Sequence, residues 1–172
     1  VAFGNDCRTL FAVTPSAQRA LRAYFRGYRG LGTWLQWVGP PNDPIALGSL
    51  DAFVERPYRY DWMLRLLDVP AALEGRGYPT IEAGATIAID DPMYPDNAGA
   101  WRLTISGGGA HVERVDGHDR RPLSIGVFSS MFSGYLRAHD AVRLGHLDAD
   151  DPAVDALAAV FDGPDPWSPF FF

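Results

Sequence analysis

Three consecutive glycines, Gly107-Gly108-Gly109, stand between the runs WRLTIS (101–106) and AHVERV (110–115), and no other feature constrains the fold as much. Glycine reaches the left-handed backbone that a tight hairpin requires, so the two flanking runs are expected to form antiparallel strands. Residues 83–89 are expected to add a strand before this hairpin and 123–126 a short one after it, with 62–68 a further strand candidate. Helices are expected over 70–76, with Pro70 in the first turn, and then over 128–136, 139–144 and 152–161, the last capped by Asp151. Strands followed by a block of helices predict an α+β fold, a sheet backed by helices, instead of a doubly wound sheet.

The first third reads differently. TLFAV (9–13) has strand character, and Thr14 followed by Pro15 supplies an N-cap and a first-turn proline. Residues 17–28 are expected to be helical, with Leu21, Phe25 and Tyr28 on one stripe, ended by Gly27, Gly30 and Gly32. A strand over 33–38, buried on both faces, a proline-punctuated turn at 39–43 and a short helix over 44–50 complete it. Charge and Pro57 interrupt the apolar pattern over 55–61 and place a domain boundary there.

Composition narrows the function classes. The 172 residues suffice for one domain or for one domain plus a piece of another, and the 22 aromatic side chains exclude disorder. All 15 basic residues are arginine, against 21 acids; a net charge of -6 argues against a general nucleic-acid binder. A single cysteine, Cys7, forbids an internal disulfide and a thiolate zinc site. No apolar run reaches the ~20 residues that cross a bilayer. Nor do residues 1–13, which carry Asn5, Asp6 and Arg8, resemble a signal peptide, so a cytoplasmic location is expected. Because the chain opens on Val1 in residues that read as mid-domain, it is expected to be a fragment or a processed product.

Most motifs have plain explanations. The glycine-rich 26–32 follows a helix instead of preceding one, the wrong order for a pyrophosphate cradle, and reads as a helix end. His111, His118, His139 and His146 lack metal-ligand spacing. Asp148, Asp150 and Asp151 lack the calcium-loop glycine and glutamate, with Ala153 and Ala159 in those places, so no metal site is expected. Asp90, Asp91 and Asp96 in IDDPMYPDNAG are possible acid–base carboxylates, but Pro92 and Pro95 favour a turn in which Asp and Asn bond their own backbone. No G-x-S-x-G elbow is present. The ending PDPWSPFFF is apolar enough to be expected in a buried position. Burial would raise the pKa of the α-carboxylate of Phe172 and make it a usable base; the plainer alternative is an aromatic plug.

Three segments carry a family resemblance: RLLDVPAALEGRGY (65–78), DPMYPDNAGAWRL (91–103) and DGPDPWSPFFF (162–172), supported by AVRLGHLDADDPAVDALAAVF (141–161). Together they resemble the C-terminal portion of the enhanced-intracellular-survival (Eis) type N-acetyltransferases of the GNAT superfamily. The resemblance implies the end of a degenerate GNAT-like α/β domain over 1–59 and a sterol-carrier-protein-like domain over 60–172. It further implies acetyl transfer from acetyl-CoA, bound by an N-terminal domain outside this sequence, to small-molecule amines, aminoglycosides among them, in a homo-oligomer. By the same resemblance Phe172 supplies the terminal carboxylate as general base, with Phe171 and Trp167 beside the substrate. Some members carry an acid where Phe171 stands. Two other readings accompany this one: an apolar-ligand module, motivated by Phe128, Met131, Phe132 and Tyr135, and a purely structural or oligomer-building domain.

Overall fold

A computed structural model describes residues 4–7, 10–28, 30, 32, 34–49, 54–55, 58–117, 119–168 and 170. The chain divides into two compact units, Val1–Asp61 with Asp165–Phe172, and Trp62–Pro164.

In the first unit, β1 (Gly4–Cys7) pairs in parallel with β2 (Trp34–Trp37), Gly4 opposite Trp34 and Cys7 opposite Trp37, with α1 (Pro15–Gly27) between them in sequence. Thr14 caps α1 as expected, its Oγ1 accepting the Ala17 N–H at 3.1 Å, and Pro15 opens the first turn. The helix stops at Tyr28, whose N–H donates to the Phe25 carbonyl at 3.0 Å. Of the expected stripe, Leu21 and Phe25 are half-buried, whereas Tyr28 lies at the surface, bonded to Tyr24 hydroxyl to hydroxyl at 2.9 Å. The expected strand over 9–13 is not found in its described part, 10–13: Leu10 is buried, but Phe11 and Val13 are 67% and 77% exposed. A strand needs a partner, and the parallel ladder with β2 selects Gly4–Cys7 instead. Nor is β2 buried on both faces, for Trp34 is 44% exposed. Asp43 caps the short helix α2 (Pro44–Leu47), accepting the Ile45 N–H at 2.7 Å and the Trp37 Nε1–H at 2.6 Å. Asn42 Nδ2 donates to Asp165 Oδ2 at 2.6 Å and so fastens the returning tail to this turn.

The second unit is a four-stranded sheet in the order β5-β4-β3-β6, formed by β3 (Ala83–Asp90), β4 (Gly99–Ser106), β5 (Gly109–Val115) and β6 (Leu123–Ser124). The hairpin falls where the glycines require it. Ser106 faces Gly109, and Gly107 and Gly108 take φ of +59° and +86°, the two left-handed residues of a type I′ turn. β3 and β4 are antiparallel from Ala83 opposite Ile105 to Ile89 opposite Gly99, while β6 runs parallel to β3 for two residues. α3 (Val69–Gly75) packs along β5, and its Glu74 accepts the Val112 N–H at 3.1 Å, placing a carboxylate on the outer strand's edge.

The helices α4 (Ile125–Phe132), α5 (Ala138–Arg143) and α6 (Ala153–Phe161) follow. α4 starts and ends earlier than the expected 128–136, because Ser124 Oγ caps Val127 N and Gly134, at φ +82°, leaves helical space. α6 starts at Ala153, one residue later than expected, with Pro152 and not Asp151 in the N-cap position, although Asp151 still accepts the Ala153 N–H at 2.8 Å. Leu73, Leu103, Ile105, Phe128, Met131 and Leu157 fill the core where helices meet sheet, and Phe128 meets Phe161 edge to face at 6.0 Å.

The strand expected over 62–68 is corrected. The segment has strand alternation, Leu64 and Leu66 turned inward with Met63, Arg65 and Leu67 outward, but it joins no ladder. Side chains bind its backbone instead: Ser129 Oγ accepts the Leu66 N–H at 3.1 Å, and Asn97 Nδ2 donates to the Leu67 carbonyl at 3.2 Å.

Gly99 begins β4 at φ +129°, and a Cβ there would stand 2.7 Å from Arg114 Nη2. That guanidinium donates to the Ala98 carbonyl at 2.5 Å and stacks on Trp101 at 5.1 Å. Gly99→Ala is expected to cost about 2 kcal/mol from backbone strain. It should lower the urea midpoint of unfolding with the slope unchanged.

Candidate functional site

The tail comes first because three expected site residues lie in it. Trp167 is half-buried in the first unit. Phe170 is 71% exposed, contrary to the burial expected of the whole ending: Ser168 Oγ accepts its N–H at 3.1 Å, and this local turn sets Phe170 at the surface. Phe171 and Phe172 lie outside the described residues.

The built polar centre is in IDDPMYPDNAG, at the turn joining β3 to β4. Asp91 is buried, and its Oδ1 accepts the N–H groups of Met93 at 3.0 Å and Tyr94 at 3.1 Å and the Arg65 Nη2–H at 2.5 Å. Its Oδ2 accepts from Asn97 Nδ2 at 3.0 Å. Asn97, also buried, accepts the Val69 N–H at 3.0 Å through Oδ1, which satisfies the first amide of α3. The Trp101 indole N–H donates to the Asn97 carbonyl at 2.9 Å, and Arg65 stacks on Tyr94 at 5.6 Å. Asp90 and Asp96 stay on the surface. Only Asp91 of the three acids is enclosed, as an acceptor within a turn, which supports the turn explanation over acid–base work.

Desolvation pushes the Asp91 pKa upward, but the bonds from Asn97, the Tyr94 and Met93 amides and the Arg65 charge outweigh it, leaving it below its ordinary 3.8. A depressed carboxylate pKa gives stability that is present above the ordinary value and lost as pH falls through the folded value. Urea midpoints measured from about pH 5 down to about pH 2 should therefore fall in the native chain and flatten in Asp91→Asn. An equally steep acid limb in that variant would remove Asp91 as its source.

A second cluster surrounds Arg76, the residue that follows α3. Its guanidinium lies 5.0 Å from the Phe161 ring, 5.1 Å from Phe132 and 5.9 Å from Tyr78, and donates through Nη1 to the Phe132 carbonyl at the end of α4. Burial lowers the Arg76 pKa, with Tyr78 acting in the opposite sense. Burial likewise raises Tyr78 to about 12 despite Arg76, and the Tyr78 hydroxyl donates to the Leu73 carbonyl at 2.7 Å. The cation completes a helix C-terminus inside an aromatic wall.

Of the four residues behind the apolar-ligand reading, three belong to the packed core and one does not. Phe128 and Met131 fill the core, Phe132 packs on Phe161 at 6.2 Å, and Tyr135 is exposed. His111 and His139 are exposed beside Glu74 and Asp155 at 3.6 and 3.7 Å, and His118 lies outside the described residues. Among the described residues no three His, Cys, Asp or Glu side chains converge as metal ligands, and no helix is long and apolar enough to cross a membrane. Described residues of 26–32 lie at and beyond the C-terminal end of α1, where carbonyls point outward, so they do not fit a pyrophosphate. Arg65 and Asn97 were not singled out by sequence reasoning, although Asn97 directly follows Asp96 in the same turn motif.

Residues 69–169 match the sterol carrier protein domain family. An uncharacterized N-acetyltransferase of Streptomyces griseus is 30% identical over 169 residues, 96% of this chain and 40% of its own length. In fold, the chain is similar to a GCN5-related N-acetyltransferase from Anabaena variabilis, with a TM-score of 0.88 and 24% identity over 97% of this chain and 43% of that one. It is also similar to Eis1 from Mycobacterium abscessus, with a TM-score of 0.73 and 25% identity over 100% of this chain and 44% of that one. The chain thus spans about two fifths of the length of the curated relative. With well over half of its residues inside the family match, the chain belongs to the sterol carrier protein domain family, and its resemblance to Eis-type N-acetyltransferases holds in both sequence and fold.

Proposed function

We propose that this chain is part of an acetyl-CoA-dependent N-acetyltransferase acting on small-molecule amines, aminoglycosides among the candidates. The observation that carries this reading is the 30% identity to an N-acetyltransferase along 96% of the chain. Residues 1–59 would end a GNAT-like α/β domain, and 60–172 would be a sterol-carrier-like domain closing the substrate pocket. Acetyl-CoA would be bound by a domain outside this sequence, in a cytoplasmic homo-oligomer, and the 172 residues alone would be inactive.

In acetyl transfer the amine nitrogen attacks the thioester carbonyl, the carbon–sulfur bond breaks, and the nitrogen sheds a proton. A carboxylate accepts that proton better once desolvation lifts it from the ordinary α-carboxyl range of about 3.3–3.7. In this proposal the Phe172 α-carboxylate has that part, with Trp167 and Phe171 supplying the apolar surroundings. The test is thiol release from acetyl-CoA by the product of the uninterrupted gene, across a panel of amines. Turnover supports the reading, and a product showing none with any amine overturns it. Extending an active product by one residue beyond Phe172 should cut kcat by roughly 10²-fold, the scale of a lost general base; unchanged kcat removes Phe172 from the mechanism.

A further inference from the structure

The three methionines of the chain divide by burial. Met131 is 0% exposed in the core of the second unit, whereas Met63 is 99% and Met93 67% exposed. The two exposed ones, far apart in sequence, lie on the segments that the Arg65–Asp91 bond ties together. Met63 shares the outward side of 62–68 with Arg65 and Leu67. Met93 belongs to the Asp91 turn, where its N–H donates to Asp91 Oδ1 at 3.0 Å, and its neighbour Tyr94 carries the Arg65 guanidinium on its ring. Leu67 and Tyr94 are exposed too, so apolar side chains stand in the open at this knot. The knot itself is held by main-chain amides and by Asp91, Asn97, Arg65 and Ser129, and neither exposed thioether belongs to the core beside it.

We propose that Met63 and Met93 form a reversible oxidation site for hydroperoxides. A thioether sulfur reacts through its lone pair, has no proton to lose, and needs only exposure. It attacks one peroxide oxygen, forming an S–O bond as the O–O bond breaks. The proton on the transferred oxygen passes to the departing hydroxide, which leaves as water. Sulfur is oxidised by two electrons to the sulfoxide, and the peroxide is reduced by the same two. A dithiol acting through methionine sulfoxide reductase reverses the step, giving the thioether, water and a disulfide. Each sulfoxide replaces an apolar side chain by a polar one. At Met63 and Met93 the new oxygen stays hydrated, so the fold persists while this surface changes from apolar to polar. At Met131 it would be buried without a donor, which a packed core does not accommodate.

The inference is independent of acetyl transfer. Its test is dilute hydrogen peroxide on the 172-residue chain and on the product of the uninterrupted gene, read residue by residue by peptide mass mapping. Met63 and Met93 should oxidise within about threefold of the rate of N-acetylmethionine amide, and Met131 at least about 100-fold more slowly until urea unfolds the chain. Circular dichroism should be unchanged once both exposed residues are oxidised. The two sulfoxide reductases, one for each epimer, should then restore the original mass with dithiothreitol as the reductant. Protection of either exposed methionine by more than about tenfold in either protein overturns the inference. So does oxidation of Met131 at the same rate as the other two. Unfolding when only Met63 and Met93 are oxidised, or sulfoxides that the reductases leave in place, overturns it equally.

Discussion

Phe161→Ala should lower the unfolding free energy by about 4 kcal/mol, the usual cost of removing a large ring from a packed core. Phe161 is 2% exposed and meets Phe128 edge to face, Phe132 at a tilt and the Arg76 guanidinium face-on. Truncation therefore opens a cavity and also strips one wall from a half-buried cation, which carries a desolvation cost of its own. Phe161→Leu retains most of the buried area and should cost about half as much. Urea denaturation followed by circular dichroism measures both. A loss below about 1 kcal/mol for the alanine variant would mean that the junction of α4, α6 and α3 is not packed as described.

Asn97→Ala should cost about 3 kcal/mol, more than its exposed neighbours, because it leaves buried groups without partners. The Val69 N–H loses its acceptor, and both Asp91 Oδ2 and the Leu67 carbonyl lose a donor. In a unit this size such a loss lowers Tm by roughly 15 °C. Asp96→Ala, one residue earlier, is the control: its side chain is exposed, and Arg114 reaches only its backbone carbonyl, so a change within about 0.5 kcal/mol is expected. If the two variants melted alike, the Asp91–Asn97 knot would not be what holds 62–68 and α3 to the turn.

Much of the second unit was legible because its determinants are local. The glycine hairpin and the Asp151 bond at the entry to α6 each involve residues within four positions of one another, as does the Thr14 cap in the first unit. The turn explanation of IDDPMYPDNAG rested on the same kind of bond and agrees with Asp91 accepting from Met93 and Tyr94. The resemblance to Eis-type enzymes was legible as well, since it rests on whole motifs and not on single residues.

Sequence by itself therefore determined the family, the hairpin and the Thr14 cap, whose interactions close over one turn or one bend. Tertiary structure alone decided which extended segments became strands. Residues 10–13 and 62–68 have strand-like composition but lack a ladder partner, while GNDC, with little apolar character, pairs because β2 lies beside it. It also decided that Asp91, out of three acids in one motif, is enclosed by Arg65 from 26 positions away and by Asn97. A hydrogen bond between distant residues depends on where the chain returns, and no local pattern of side chains records that.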